Sequence, residues 1–182
     1  MREKGQLTTS SQELGEQVGI SAAQIRKDLS QFGGFGKQGT GYGIQNLIEK
    51  LSEILNVNRV WNVAVVGAGD MGHALTRYQG FFDRGFLITM IFDNNPELIC
   101  QTIGNLTIQS VDNLATALKE GKVSIVMLTV PATAAQKITD VLVDCGVKAI
   151  LNYAPISLNV PEGVFVQYID PSIHLQRMTY YL

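Results

Sequence analysis

VAVVGAGDMGHAL, residues 63–75, decides how the rest of the chain is read. An apolar run, Val63 to Val66, leads into three glycines at fixed spacing, and a helix-like stretch opens after them. Gly67-Ala68-Gly69-Asp70-Met71-Gly72 fits the pattern G-x-G-x-x-G. Alone the pattern is weak; between a strand and a helix it points to a dinucleotide. Gly67 permits the tight turn, Gly69 lets a pyrophosphate approach the backbone, and Gly72 lets helix and strand pack closely. The helix N-terminus offers its free N–H groups and positive dipole end to the phosphates. Asp70 suits that dipole, and its side chain is expected to point to solvent. A structural glycine turn without nucleotide is the plain alternative.

The next apolar run, 86–93, ends in Asp93, 26 residues after Gly67. A carboxylate there suits a ribose 2′-hydroxyl and repels a 2′-phosphate. Asn94-Asn95-Pro96 brings no basic residue, so NAD+ and NADH are favoured over their phosphorylated counterparts. Further β-branched runs lie at 123–130, 147–154 and 164–169, with a shorter one at 106–109. Helical stretches are expected at 72–82, 96–103, 111–120 and 132–145. Continuous apolar strands alternating with helices predict an α/β Rossmann fold, a doubly wound parallel sheet, over 58–169. Ligands of such sheets sit outside the carboxyl ends of the strands. Thr129-Val130-Pro131 and Asn152-Tyr153-Ala154-Pro155 close two strands there, either as ordinary turns or as flanks of the nicotinamide half.

No catalytic set accompanies this site. A dehydrogenase needs an acid–base residue beside the nicotinamide. His73 and His174 both fall at helical positions that suit surface or packing, and there is no Tyr-x-x-x-Lys or Ser/His/Asp arrangement. Cys100 and Cys145 show no metal spacing and no activating basic neighbour. The expectation is a protein that holds a dinucleotide without reacting it, with no catalytic residue and no metal. An NAD-dependent oxidoreductase, or a CoA- or nucleotide-binding domain with a helical accessory domain, remains as the alternative.

Composition sets the outer limits. Of 182 residues 46% are hydrophobic and 16% charged, enough to build a packed core. No apolar run approaches the ~18 residues that span a bilayer. The N-terminus MREKGQLTTSS lacks the apolar region of a signal peptide, so a soluble cytoplasmic protein with no membrane partner is expected. Net charge is −2, split as +1 over residues 1–59 and −3 over 60–182, too weak an asymmetry to argue nucleic-acid binding by itself.

Local arrangement in residues 1–57 says more. Ser10 to Glu13 is a capping box, a short helix follows to Gly19, and Ser21 to Gln24 makes a second box. Leu14, Val18, Ile20, Ile25 and Leu29 supply an inner face, giving a helix-turn-helix. The second helix displays Gln24, Arg26, Lys27 and Ser30 outward, types that read base edges or take phosphates. Residues 33–43, with six glycines in eleven positions, form a wing-like loop whose Lys37, Gln38 and Thr40 could reach DNA. A small helical domain with a solvated Arg-Lys pair is the other reading. Ile44, Leu47, Ile48, Leu51, Ile54 and Leu55 then repeat at helical spacing. Asp170 and Pro171 start a last helix over 170–182, too short and apolar to stand alone.

Taken in order, the segments at 10–43, 65–81, 91–97, 128–136, 150–164 and 169–182 resemble the Rex family of redox-sensing transcriptional repressors. The resemblance covers nearly the whole chain. It implies a homodimer with an N-terminal winged helix-turn-helix, a Rossmann domain and a domain-swapped C-terminal helix. Such a repressor binds palindromic double-stranded operator DNA and leaves it when NADH binds. It also implies that Arg26, Lys27 and Ser30 lie on the recognition helix and Lys37 to Tyr42 in the wing. Thr129 to Pro131 and Asn152 to Ile156 would line the nicotinamide half, and Tyr78 would pair with Asp170 across subunits. Two departures stand out. The family has a helix ahead of the segment that starts here at Met1, so a shortened winged helix is expected. Pro171 stands where relatives often carry a large apolar residue, which implies a weaker contact to the partner's nicotinamide pocket.

Overall fold

The computed structural model describes residues 5–35 and 41–182. Met1 to Lys4 and the wing residues Lys37, Gln38 and Thr40 thus lie outside the described residues. The chain divides into two compact units, Met1–Arg59 and Val60–Leu182.

In the first unit, strand β1 (Thr8–Thr9) pairs antiparallel with β2 (Tyr42–Gly43), closing the long loop. Gly41 sits at φ +73°, and a Cβ there would lie 2.6 Å from the Thr9 carbonyl oxygen, so only glycine fits this return. Helix α1 (Ser11–Val18) starts from a complete capping box: Ser10 accepts from the Glu13 N–H at 3.1 Å, and Glu13 accepts from the Ser10 N–H at 2.9 Å. The Ser10 N–H and the Thr9 hydroxyl hold the Glu13 carboxyl below its ordinary pKa.

Helix α2 (Ala22–Ser30) carries only half of its expected box. Ser21 accepts from the Gln24 N–H, but the Gln24 amide turns to Asp28 instead, at 2.6 Å. The expected inner face also differs. Leu14, Ile25 and Leu29 are half-buried, whereas Val18 and Ile20 are exposed. The helices meet at Gly15, where a Cβ would overlap the Ile20 carbonyl oxygen, so a glycine makes the crossing close without Val18. Helix α3 (Ile44–Ile54) buries Ile44 and Leu47 and leaves Ile54 and Leu55 exposed at its far end. Lys50 of α3 fastens the start of the glycine-rich loop. It donates to the Gly34 carbonyl at 2.9 Å and lies over the buried Phe35 ring.

The second unit is a seven-stranded sheet in the order β5-β6-β4-β3-β7-β8-β9. Its strands are β3 (Trp61–Val66), β4 (Phe86–Asp93), β5 (Thr102–Ile103), β6 (Leu106–Ser110), β7 (Ile125–Leu128), β8 (Ala149–Asn152) and β9 (Phe165–Tyr168). All pairings are parallel except β5–β6, so the parallel strands run in the Rossmann order about β3. Alternate residues of β3 feed two cores. Ala64 and Val66 pack with Leu118 and Leu142 from α5 (Leu114–Glu120) and α6 (Ala132–Asp144), while Val63 and Val65 face Leu75 of α4 (Asp70–Arg77).

Two expected helices are corrected. The stretch 96–103 makes a single turn after Asn95 and then a hairpin. Cys100 takes a left-handed φ of +70°, its N–H bonds the Ile108 carbonyl, and Ile108 answers to Gln101. The hairpin wins because Thr102-Ile103-Gly104-Asn105-Leu106 combines β-branched residues with a Gly-Asn turn, Gly104 at φ +60°. The stretch 72–82 breaks at Tyr78, where α4 gives way to a 3-10 turn, Gln79–Arg84. The Tyr78 ring folds over Gly80, which has no Cβ to obstruct it, and packs edge-on against Phe81 at 5.0 Å. With a hairpin where a helix was expected, one face of β4 and β6 keeps an open groove of about 750 Å³, lined by Tyr78, Phe81, Phe82, Phe86, Ile88 and Leu106.

The last helix, α7 (Pro171–Thr179), is capped by Asp170 and has no buried residue. Ile173, Leu175, Met178, Tyr180, Tyr181 and Leu182 are all exposed. Among the described residues no helix is long and apolar enough to cross a membrane.

Candidate functional site

The site is built where the strand order reverses, between β3 and β7. Gly67 leaves β3 at φ +104° and bonds the Phe92 carbonyl of β4 through its N–H at 2.8 Å. A Cβ on Gly67 would lie 2.6 Å from the Thr129 carbonyl oxygen, and a Cβ on Gly72 would overlap the Gly67 carbonyl oxygen. The turn is therefore closed on both sides and tolerates only glycine at these two positions.

Thr129, at the end of β7, clamps this turn. Its N–H bonds the Val66 carbonyl at 2.8 Å, and its hydroxyl donates to Gly67 O at 2.7 Å and approaches Val66 O at 3.1 Å. Asp93, ending β4, holds the other side. One carboxylate oxygen accepts from the Ala68 N–H at 2.6 Å and the other from the Asn95 N–H at 2.8 Å. Gly69 is the N-cap of α4 and no side chain caps that end, so the first-turn N–H groups face outward from the turn. Asp70 and Met71 are exposed on this first turn, and Asp70 shows no bond into the cradle.

A second group forms at the end of β8. Asn152 is buried, and its amide is used by its own loop: Nδ2 donates to Ala154 O at 3.1 Å and Ile156 O at 3.0 Å, while Oδ1 accepts from the Ala154 N–H at 2.9 Å. Met71, Pro155 and Ile156 share a cavity of about 430 Å³ with Tyr168, Asp170 and Ile173. Burial pushes the Tyr153 phenol above its ordinary pKa. Val130 is half-buried, and Pro131 is the N-cap of α6.

The fold thus brings Gly67–Gly72, Asp93 and Thr129 into one cradle, and Met71 together with Asn152–Ile156 and Asp170 into an adjoining pocket. Tyr78 stands apart in the groove on β4 and β6, and Asp170 bonds its own helix through Ser172. Those Ser172 bonds, first the hydroxyl and then the N–H, lower the Asp170 pKa. Sequence reasoning missed Tyr168, whose hydroxyl accepts from the Leu158 N–H at 2.9 Å. No spacing signal marks it, because the two residues lie on different segments.

On α2, Gln24, Arg26, Lys27 and Ser30 are all exposed. Their side chains are not all free. Arg26 donates to the Ser11 hydroxyl of α1 at 2.9 Å, and Ser30 donates to the Lys27 carbonyl at 2.7 Å. Tyr42 is half-buried in the ladder with Thr9.

Comparison with known proteins places these features together. Residues 58–156 match the family model for a CoA binding domain, and residues 1–30 match that for a putative DNA-binding protein N-terminus. The chain is 49% identical over 180 residues to the redox-sensing transcriptional repressor Rex of Chloroflexus aggregans, covering 99% of this chain and 85% of that protein. It is 44% identical over 177 residues to the Rex of Desulfitobacterium hafniense, covering 97% and 84%. Among solved structures it is similar to RSP bound to β-NAD+ and operator DNA, with TM-score 0.90, 38% identity and coverage of 96% and 80%. RSP bound to β-NADH is similar at TM-score 0.84, with 35% identity and coverage of 98% and 84%.

Proposed function

Because the chain belongs to the Rex family of redox-sensing transcriptional repressors, we propose that it binds operator DNA as a homodimer and releases it when NADH fills the cradle at Gly67–Gly72. The family is one of transcription regulators. The carrying observation is the cradle itself, closed by Thr129 and Asp93 at the reversal of strand order. A dinucleotide held here would have its pyrophosphate received by the α4 N-terminus, its adenine ribose by Asp93, and its nicotinamide by Val130, Pro131 and the loop Asn152–Ile156.

A sensor suits this lining better than an enzyme does. Hydride transfer needs an acid–base group beside the ring. The Asn152 amide is consumed by its own loop, and the Tyr153 phenol is pushed up, away from neutral pH. The nucleotide is a signal rather than a reagent, in a protein that works in the cytoplasm where operator DNA lies.

Release needs a dimer whose geometry changes. Two recognition helices must meet half-sites about 34–36 Å apart, so a small rotation between protomers destroys the fit. NADH shifts that arrangement only through different affinities for the two states. Support for the dimer comes from the apolar residues of α7 and from the unfilled groove beside Tyr78. A partner helix in that groove would bring its Asp170 towards Tyr78. On the DNA side, Gln24, Arg26, Lys27 and Ser30 of α2 meet the major groove, with Lys37, Gln38, Thr40 and Tyr42 alongside as the wing.

The test is fluorescence anisotropy on an operator duplex titrated with each nucleotide. Saturating NADH should weaken operator binding at least tenfold and NAD+ should not. Equal affinity in the two nucleotides overturns the proposal. Thr129→Val adds a second expected result. It removes one hydroxyl clamp beneath the pyrophosphate, so NADH and NAD+ should both weaken by the same factor, about tenfold. A change confined to one nucleotide, read by calorimetry, would place that hydroxyl on the nicotinamide instead.

A further inference from the structure

Two hydrogen-bonded ties join the loop after β8 to the start of α7. In the first, the Asn152 side chain holds the carbonyls of Ala154 and Ile156, while its main-chain carbonyl accepts from the Ile169 N–H at 2.9 Å. Ile169 immediately precedes Asp170, the α7 N-cap. In the second, the Tyr168 hydroxyl accepts from the Leu158 N–H at 2.9 Å and lies 3.4 Å from the Leu158 carbonyl. Leu158 is buried in the same core cluster as Ala154 of the loop.

Tyr168 also borders two cavities. One is shared with Met71, Pro155 and Ile156; the other lies against His174 and Leu175 of α7. A side chain in that position is bonded to the loop on one side and faces a cavity shared with the terminal helix on the other. Among the described residues the strand that carries it, β9, pairs with β8 alone, and its end is tied to the loop through Ile169.

We propose that Tyr168 is a positioning residue that carries the state of the loop 153–158 to the N-cap of α7, linking the occupied cradle to the dimer helix. The proposal rests on the sensor reading above. Movement of the loop by a reduced or oxidised ring pulls on Leu158, and the phenol passes that displacement to the residues just ahead of Asp170. The link is specific to a hydroxyl at this site, because the ring alone does not reach the Leu158 N–H as an acceptor.

Tyr168→Phe removes the hydroxyl and keeps the ring. Two quantities are measured on the full chain: the NADH dissociation constant without DNA, and the factor by which NADH weakens operator binding. The coupling factor should fall about fivefold or more, within the usual range of allosteric couplings, and by more than any change in NADH affinity. A wild-type chain with no NADH effect on operator binding overturns the sensor reading itself. A coupled wild type with an equally coupled variant overturns the role of Tyr168 alone. Lost NADH affinity with intact coupling also overturns it, by making Tyr168 a pocket residue. Hydrogen exchange is the second measurement. In the wild type NADH should change protection at 153–158 and at 169–175 together, and in the variant only at 153–158. Change confined to the loop in the wild type overturns the link.

Discussion

Gly72→Ala should cost at least a hundredfold in NADH affinity and leave operator binding without NADH unchanged. The added Cβ overlaps the Gly67 carbonyl oxygen and lies 3.0 Å from the Thr129 hydroxyl oxygen. Neither neighbour can give way cheaply, since one is backbone and the other is tied to Gly67 and Val66. The helix must shift off the strand, and the N–H groups proposed to receive the pyrophosphate move with it. A distortion of about 3 kcal/mol already exceeds a hundredfold in affinity. The substitution lies in the second unit and the operator-facing helices in the first. NADH titrations on the variant should therefore find a repressor that stays on DNA until NADH is raised at least a hundredfold. NADH binding of wild-type strength would disprove the assignment of the cradle.

Leu175→Asp should break the dimer. Leu175 is exposed on α7 in the single chain, at the centre of the apolar residues that a partner would cover. Burying one leucine contributes about 2 kcal/mol, and a two-fold interface counts the residue twice. Loss of about 4 kcal/mol raises the dimer dissociation constant roughly a thousandfold, before the charge is considered. Operator affinity should then fall a hundredfold or more, because one protomer meets only half of a palindrome. Sedimentation of the variant as a dimer would show that α7 does not hold the protomers together.

Local chemistry was the legible part of the sequence. The capping box at Ser10–Glu13 depends on neighbours a few residues away, and the glycine spacing at 67–72 marks its own turn; both appear as read, although the clamp from Thr129 and Asp93 lies far off in sequence. The parallel order about β3 follows from apolar runs alternating with helices. Residues 96–103 misled because Pro96-Glu97-Leu98 opens like a helix, and the competing hairpin needs its partner strand at 106–110 to be seen. Helix α2 shows a different limit. Periodicity points Gln24 and Arg26 outward, yet it does not reveal that Asp28 and Ser11 already engage them. Asn152 was legible as a strand-end residue, but its work inside the loop depends on carbonyl directions that no residue spacing records.

The clamped glycine turn has a kinetic consequence. Its bonds to Thr129, Asp93 and the Phe92 carbonyl are all made within the protein. A turn held by the protein's own bonds adds little ordering cost to the capture of a dinucleotide. On the proposed function, exchange between oxidised and reduced forms is then set by departure of the bound molecule rather than by refolding of the turn. On the proposed function both forms compete for one seat. When the pool saturates it, occupancy follows their proportion rather than its total, on the time scale of dissociation.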